Sequence, residues 1–173
     1  MIAKKPDLAS LGTMGLRYSN QQNEVCFFVT TTFHEWHRYG EIPGMYEGMA
    51  TSLRFCGQKY KAQIAGYVFM PSHIHLLLFL RGKDLAGFMR DFKKFVSQKI
   101  ASDLGFTESN IWMPRYDRVV IRSENVFRTK LRYIHANPVR AGLVGNEKEW
   151  PWSSAHVYLT DAPGKIAVWR DWA

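Results

Sequence analysis

Residues 60–80 read YKAQIAGYVFMPSHIHLLLFL. Two apolar runs of strand length flank Pro71-Ser72, and the fixed φ of proline suits the second position of a tight turn. The pattern predicts two strands, 60–70 and 73–80, paired antiparallel. Side chains alternate along a strand. Ile74, Leu76, Leu78 and Leu80 therefore share one face and anchor the strand in a core. His73 and His75 share the other, which Leu77 and Phe79 continue.

The other elements follow from the same rules. Residues 25–33 (VCFFVTTTF) are β-branched and aromatic and read as a strand. Residues 34–44 hold Gly40, Pro43 and Gly44 and read as a loop. Met45, Met49, Leu53 and Cys56 recur at helical spacing, predicting a helix over 45–56. Asp84 is placed to cap a helix over 85–103 with Leu85, Phe88, Met89, Phe92, Val96 and Ile100 on its apolar face. Arg90, Lys93, Lys94 and Lys99 lie off that face, and Gly105 would end the helix. A Trp- and Pro-containing loop at 111–115 precedes a short strand at 118–122. Ser123 then caps a helix over 124–136, which Asn137-Pro138 would end.

The order β-α-β-β-α-β-α predicts an α+β domain, an antiparallel sheet with helices mainly on one face. One domain over 1–173 is expected, with 1–23 a loose lead-in and 145–173 a tail packed over the sheet.

Composition narrows the function. Lys and Arg total 23 against 15 Asp and Glu, a formal charge of +8, beside six Trp, eight Tyr and eleven Phe. A small, basic, aromatic-rich domain suits a polyanion whose bases can stack, although charge alone would fit any basic soluble protein. Cys26 and Cys56 form neither a CxxC pair nor a disulfide framework. No apolar run approaches the ~20 residues of a membrane span, and no apolar signal core follows Met1. A reduced, cytoplasmic location without membrane contact is expected.

Two constellations could carry chemistry. His73 and His75 point the same way, about 6.5–7 Å apart along the strand, and two imidazoles at that spacing can converge on one divalent ion. His-x-His beside a turn is often just two polar residues at a sheet end. Tyr133 and Asn137 are four apart on the 124–136 helix and share a face, with Lys130 near them. Tyr133 borders the stripe of Phe127, Leu131 and Ile134, where a tyrosine commonly only packs. A phenol of pKa ~10 is a poor nucleophile unaided. A divalent cation would polarise and position a phosphate for its attack. The neutral amide oxygen of Asn137 favours Mg²⁺ or Mn²⁺ over a tight zinc site. Asn before Pro is also an ordinary helix stop. Arg90, Lys93, Lys94 and Lys130 are candidate DNA-backbone contacts, or a solvated charged face. His135 falls on the far side of its helix and reads as a packing or surface residue.

The stretch YVFMPSHIHLLL (67–78) resembles the His-hydrophobe-His (HUH) strand of single-tyrosine transposases. LRYIHANPVRAGLV (131–144) resembles their tyrosine helix. Asn four after the Tyr, together with Ile111-Trp112, Pro114-Arg115 and Trp150-Pro151-Trp152-Ser153-Ser154, is closer to the REP-associated tyrosine transposase branch. The resemblance covers roughly residues 25–156, whereas 1–23 match the family's Gly-rich DNA-contacting segment poorly. It implies a ferredoxin-like HUH nuclease fold, with a metal held by His73, His75 and Asn137. It also implies Tyr133 attacking single-stranded DNA near a hairpin to leave a 5′-phosphotyrosine and a free 3′-OH. Relatives include monomers and homodimers that share active sites between chains.

Two rival functions remain at this point. A non-catalytic nucleic-acid-binding module of the same fold would need only the basic helix and the aromatics. A hydrolase using a metal and a water on a small phosphoester would leave Tyr133 without a role.

Overall fold

The computed structural model describes residues 21–104 and 111–172. Most of the expected lead-in and the expected stop at Gly105 lie outside them. Four strands, β1 (Cys26–Thr32), β2 (Gln63–Phe69), β3 (His73–Phe79) and β4 (Asp117–Val120), form one antiparallel sheet in the order β2-β3-β1-β4. The helices are α1 (Met45–Tyr60), α2 (Gly82–Leu104), α3 (Glu124–Arg140) and the short α4 (Ala155–Thr160). This is the α+β architecture expected.

The alternation along β3 sorts the molecule into two apolar layers. Ile74, Leu76 and Leu78 pack with Phe27 and Val29 of β1 against α1 and α2, burying Met49, Leu53, Leu85, Phe88 and Phe92. On the opposite face Cys26, Phe28, Val68 and Leu77 meet Phe127, Leu131 and Ile134 of α3. α1 and α2 thus share one face, while α3, with Tyr158 of α4 packed beside it, covers the face that carries His73 and His75.

Two features bring α3 close. The β2–β3 register slips between Ile64 and Gly66, a bulge that turns both Ala65 and Gly66 toward α3. A Cβ on Gly66 would lie 2.8 Å from Leu131 Cδ1, so any larger residue would force the Leu131 side chain to shift.

Several local expectations are corrected. α1 runs four residues beyond Cys56, to Tyr60. α2 begins at Gly82, so Asp84 is not its cap. Asp84 sits in the first turn and accepts a hydrogen bond from Arg81 Nε at 2.7 Å. Ser123 does cap α3, accepting from the Val126 N–H. That helix continues past Asn137-Pro138 to Arg140. Pro138 is buried and lies in the last turn, where its missing N–H removes only one helical bond. The stop falls instead at Gly142, at φ 69°, whose N–H bonds the Val139 carbonyl. The C-terminal segment packs on both layers, Ile166 and Trp152 on one and Tyr158 and Trp172 on the other, and it also pairs with the sheet. Phe69 N–H donates to Trp152 O and Ser154 N–H to Tyr67 O, both at 2.9 Å, closing the free edge of β2.

Candidate catalytic and metal-binding site

The β2–β3 turn is pinned from outside the hairpin. Phe33 N–H donates to Ser72 O, and Gly40 N–H to Pro71 O, both at 2.9 Å. His73 begins β3 opposite Thr32, and His75 lies opposite Thr30. Their rings are 4.8 Å apart between centroids. His75 is 4% exposed, stacked on Phe28 at 5.4 Å and 5.2 Å from the Tyr133 ring. Phe28 also meets Tyr133 edge-on at 5.9 Å.

Each imidazole is held through its Nδ1. His75 Nδ1 lies 2.8 Å from Thr30 Oγ1 and His73 Nδ1 3.1 Å from Ser72 Oγ. With the proton on Nδ1 of His75, donated to Thr30, Nε2 presents a lone pair toward the site. That Nε2 is buried and has no hydrogen-bond partner. A buried polar atom left so costs about 1–3 kcal/mol, and metal-binding histidines fix their tautomer by this kind of second hydrogen bond. Asn137 Nδ2 donates to the Tyr133 carbonyl at 3.0 Å. The Asn137 side chain also hydrogen-bonds His73. Two imidazoles and an amide oxygen, one imidazole nitrogen orphaned, form a donor set that fits a divalent cation.

Burial drives both histidines toward the neutral, ligating form. His73 is pushed down to about 4, the Asn137 hydrogen bond opposing only in part. His75 lies well below its ordinary value through burial, with His73 and Lys130 adding to the effect. Lys130 Nζ sits 4.8 Å from the Phe28 ring centroid and 6.0 Å from that of Tyr133. The Arg140 guanidinium carbon lies 5.9 Å from the Tyr133 ring. Two cations therefore flank the tyrosine ring.

The structure thus brings His73, His75, Tyr133, Asn137 and Lys130 together within one chain. It does not bring Arg90, Lys93 and Lys94 to them. α2 packs on the opposite face of the sheet. Arg90 pairs with Asp91 at 3.0 Å, and Lys93 Nζ donates to the Met113 and Pro114 carbonyls at 2.5 and 3.3 Å. Lys93 is a strut for the 111–115 loop, and Lys94 is exposed. His135 is buried, its Nε2 2.9 Å from Ser154 Oγ, which fits the packing role expected of it.

Sequence reasoning missed Thr30, Ser72, Phe28 and Arg140. A signal for Thr30 was available, since it alternates with Val29 and Phe27 on a strand that turns polar only at its end. Arg140 lies seven residues after Tyr133, two turns along the same helix, and shares its face because α3 runs on past the end expected at Asn137-Pro138. Among the described residues His34, Glu35 and His37 form a second group of possible ligand atoms, within 4.8 Å of one another on an exposed turn.

No family model matches the chain. A Haemophilus influenzae protein assigned to the REP-associated tyrosine transposases is 31% identical over 109 residues, covering 57% of this chain and 62% of that protein. The REP-associated tyrosine transposase of Escherichia coli K12 is 30% identical over 96 residues, 54% of each chain. The matched stretches thus span between half and two thirds of these relatives. The solved structure of a REP-associated tyrosine transposase bound to a REP hairpin shares the fold. Its TM-score is 0.71 at 24% identity, over 88% of this chain and 89% of that one. A transposase structure from Deinococcus radiodurans gives a TM-score of 0.50 at 17% identity, over 69% of this chain and 95% of that one. The chain is thus similar in sequence to REP-associated tyrosine transposases over little more than half its length, and it shares the fold of one.

Proposed function

We propose that the protein is a metal-dependent single-stranded DNA endonuclease and transposase that cuts beside a DNA hairpin with Tyr133 as nucleophile. The observation that carries the reading is the orphaned Nε2 of buried His75, in a ring 5.2 Å from that of Tyr133. The hairpin-bound relative supports the substrate class. His73, His75 and Asn137 would hold Mg²⁺ or Mn²⁺, which supplies Lewis-acid polarisation of the scissile phosphate. Lys130 and Arg140 hold the phosphate's charge beside the tyrosine. The Tyr133 hydroxyl loses its proton to solvent as its oxygen forms a bond to phosphorus. The P–O3′ bond breaks, and the departing oxygen takes up a proton as a free 3′-OH. The enzyme keeps a 5′-phosphotyrosine. One phosphoester replaces another, so a 3′-OH can reverse the step without ATP.

The test is incubation with 5′- or 3′-labelled hairpin DNA carrying single-stranded flanks, with Mn²⁺, followed by a denaturing gel. A covalent protein–DNA band that EDTA prevents is expected. Bound but uncut DNA would make the chain a binding module. Release of a 5′-phosphate without any adduct would point to a water nucleophile.

A further inference from the structure

We infer that Trp36 is a stacking shelf for one unpaired nucleobase of the DNA strand that enters the site. The inference rests on the DNA-processing reading above and adds a subsite to it. Trp36 lies on the turn that follows β1 (residues 34–36), and its ring meets that of His73 at 5.8 Å and 65°. The ring is thus anchored on a candidate metal ligand, yet Trp36 remains 41% exposed. A tryptophan serving the core would be covered, as Trp112 is at 7%.

The backbone supports the same conclusion. Glu35 and Trp36 have φ of 50° and 61°. Neither is glycine, and left-handed backbone costs such residues on the order of 1–2 kcal/mol each. Both apolar cores close without Trp36, so core packing does not explain the strain. What the conformation achieves is the placement of an indole at the mouth of the site. The turn is tied down on each side. His34 N–H donates to Ile111 O, and His37 N–H to His34 O. The neighbouring loop holds Met113, also exposed at 40%, whose N–H bonds the carbonyl of Thr32, the register partner of His73. Two exposed apolar side chains thus stand on adjoining loops at the His73 end of the sheet.

An unpaired base is the ligand this surface suits. Every base has an apolar face, and aromatic shelves along single strands take bases without reading their edges. Duplex DNA would bury its base faces and leave the shelf empty. The shelf would therefore select single-stranded DNA beside the cleaved phosphate, with Lys130 and Arg140 receiving the backbone.

The test is a double-mutant cycle on the full chain carrying Tyr133→Phe, so that binding is read without cleavage. The probes are hairpins with single-stranded flanks in Mn²⁺, intact or with one flank nucleotide at a time made abasic. Affinity is measured by fluorescence anisotropy. One abasic position is expected to weaken binding about 5- to 100-fold. Trp36→Ala should cost a similar factor on intact DNA and abolish the penalty at that position alone. Trp36→Phe should keep most of it, and a hairpin without flanks should bind all variants alike. Thermal unfolding of each variant checks that the turn change leaves the fold intact. Abasic and Trp36→Ala penalties that multiply at every position would overturn the shelf, as would the absence of any sensitive position. Cleavage by the wild-type chain on intact DNA is scored separately. A shelf that fails in a chain that still forms the covalent adduct leaves the proposed function standing.

Discussion

The rings of His75 and Tyr133 lie 5.2 Å apart and 70° from coplanar, with Phe28 touching both. Two residues more than fifty positions apart, one on a β-strand and one on a helix, thus bring a neutral imidazole and a phenol side by side. Both come from the same chain.

Tyr133→Phe keeps the ring contacts to His75 and Phe28 and removes only the hydroxyl. Adduct formation is expected to fall by more than about 10³-fold, while hairpin affinity and the unfolding midpoint stay near wild type. A variant that still nicks at the wild-type rate would require another nucleophile.

Thr30→Val deletes the oxygen 2.8 Å from His75 Nδ1 at little change in shape. The imidazole loses the bond that fixes its tautomer, so Mn²⁺ affinity is expected to drop about 10- to 100-fold. Asn137→Leu, which removes an oxygen ligand, should likewise raise the Mn²⁺ needed for cleavage. Calorimetric titration of Mn²⁺ and ¹⁵N shifts of the His75 ring read both effects without an activity assay. Unchanged Mn²⁺ affinity in Asn137→Leu would leave that residue with only its bonds to the Tyr133 carbonyl and to His73.

The cations should divide by the face they occupy. Lys130→Ala with Arg140→Ala is expected to reduce the slope of log affinity against log salt by roughly 0.7 per lost phosphate contact. Replacing Arg90 and Lys94 should change it less, since both stand on the helix behind the sheet. Lys93→Ala should chiefly loosen the 111–115 loop, seen as faster amide exchange at Met113. A larger salt effect from the α2 variants would put the DNA on the other face.

Burial lowers His135 to about 4, and it faces Ser154 Oγ and the Tyr158 ring. Its folded-state value lies below the unfolded one. The neutral ring's contribution is therefore complete above pH ~6.5 and is lost as pH falls toward 4, at most roughly 3 kcal/mol. His135→Gln, which can still bond Ser154, should flatten the decline of stability over that window. Denaturant unfolding at pH 7, 6, 5 and 4.5 would show it. Parallel curves for the two proteins would mean that His135 titrates normally.

The local pattern determined a good deal by itself. The period-2 alternation through residues 73–80, broken by Pro71-Ser72 before it, specified a hairpin and the sides its residues take. It placed His73 and His75 on one face because side-chain direction along a strand is a property of the backbone alone. Helical spacing put Asn137 one turn from Tyr133 for the same reason. Ends of elements were less legible. The residue before Pro138 was read as a boundary, yet burial of Pro138 and the left-handed Gly142 carry the helix further, a balance that depends on what the proline packs against.

Only the tertiary structure decided which charges share a surface. α3 reaches the histidine face because a bulge and the bare Gly66 let Leu131 approach. α2 lies on the other face, which separates Lys93 from Lys130 although both looked alike in sequence. Thr30 and Trp36 likewise acquire their neighbours from strand pairing and loop placement. Such contacts join residues tens of positions apart, and no short-range periodicity encodes which distant side chain will fill the space beside a given ring.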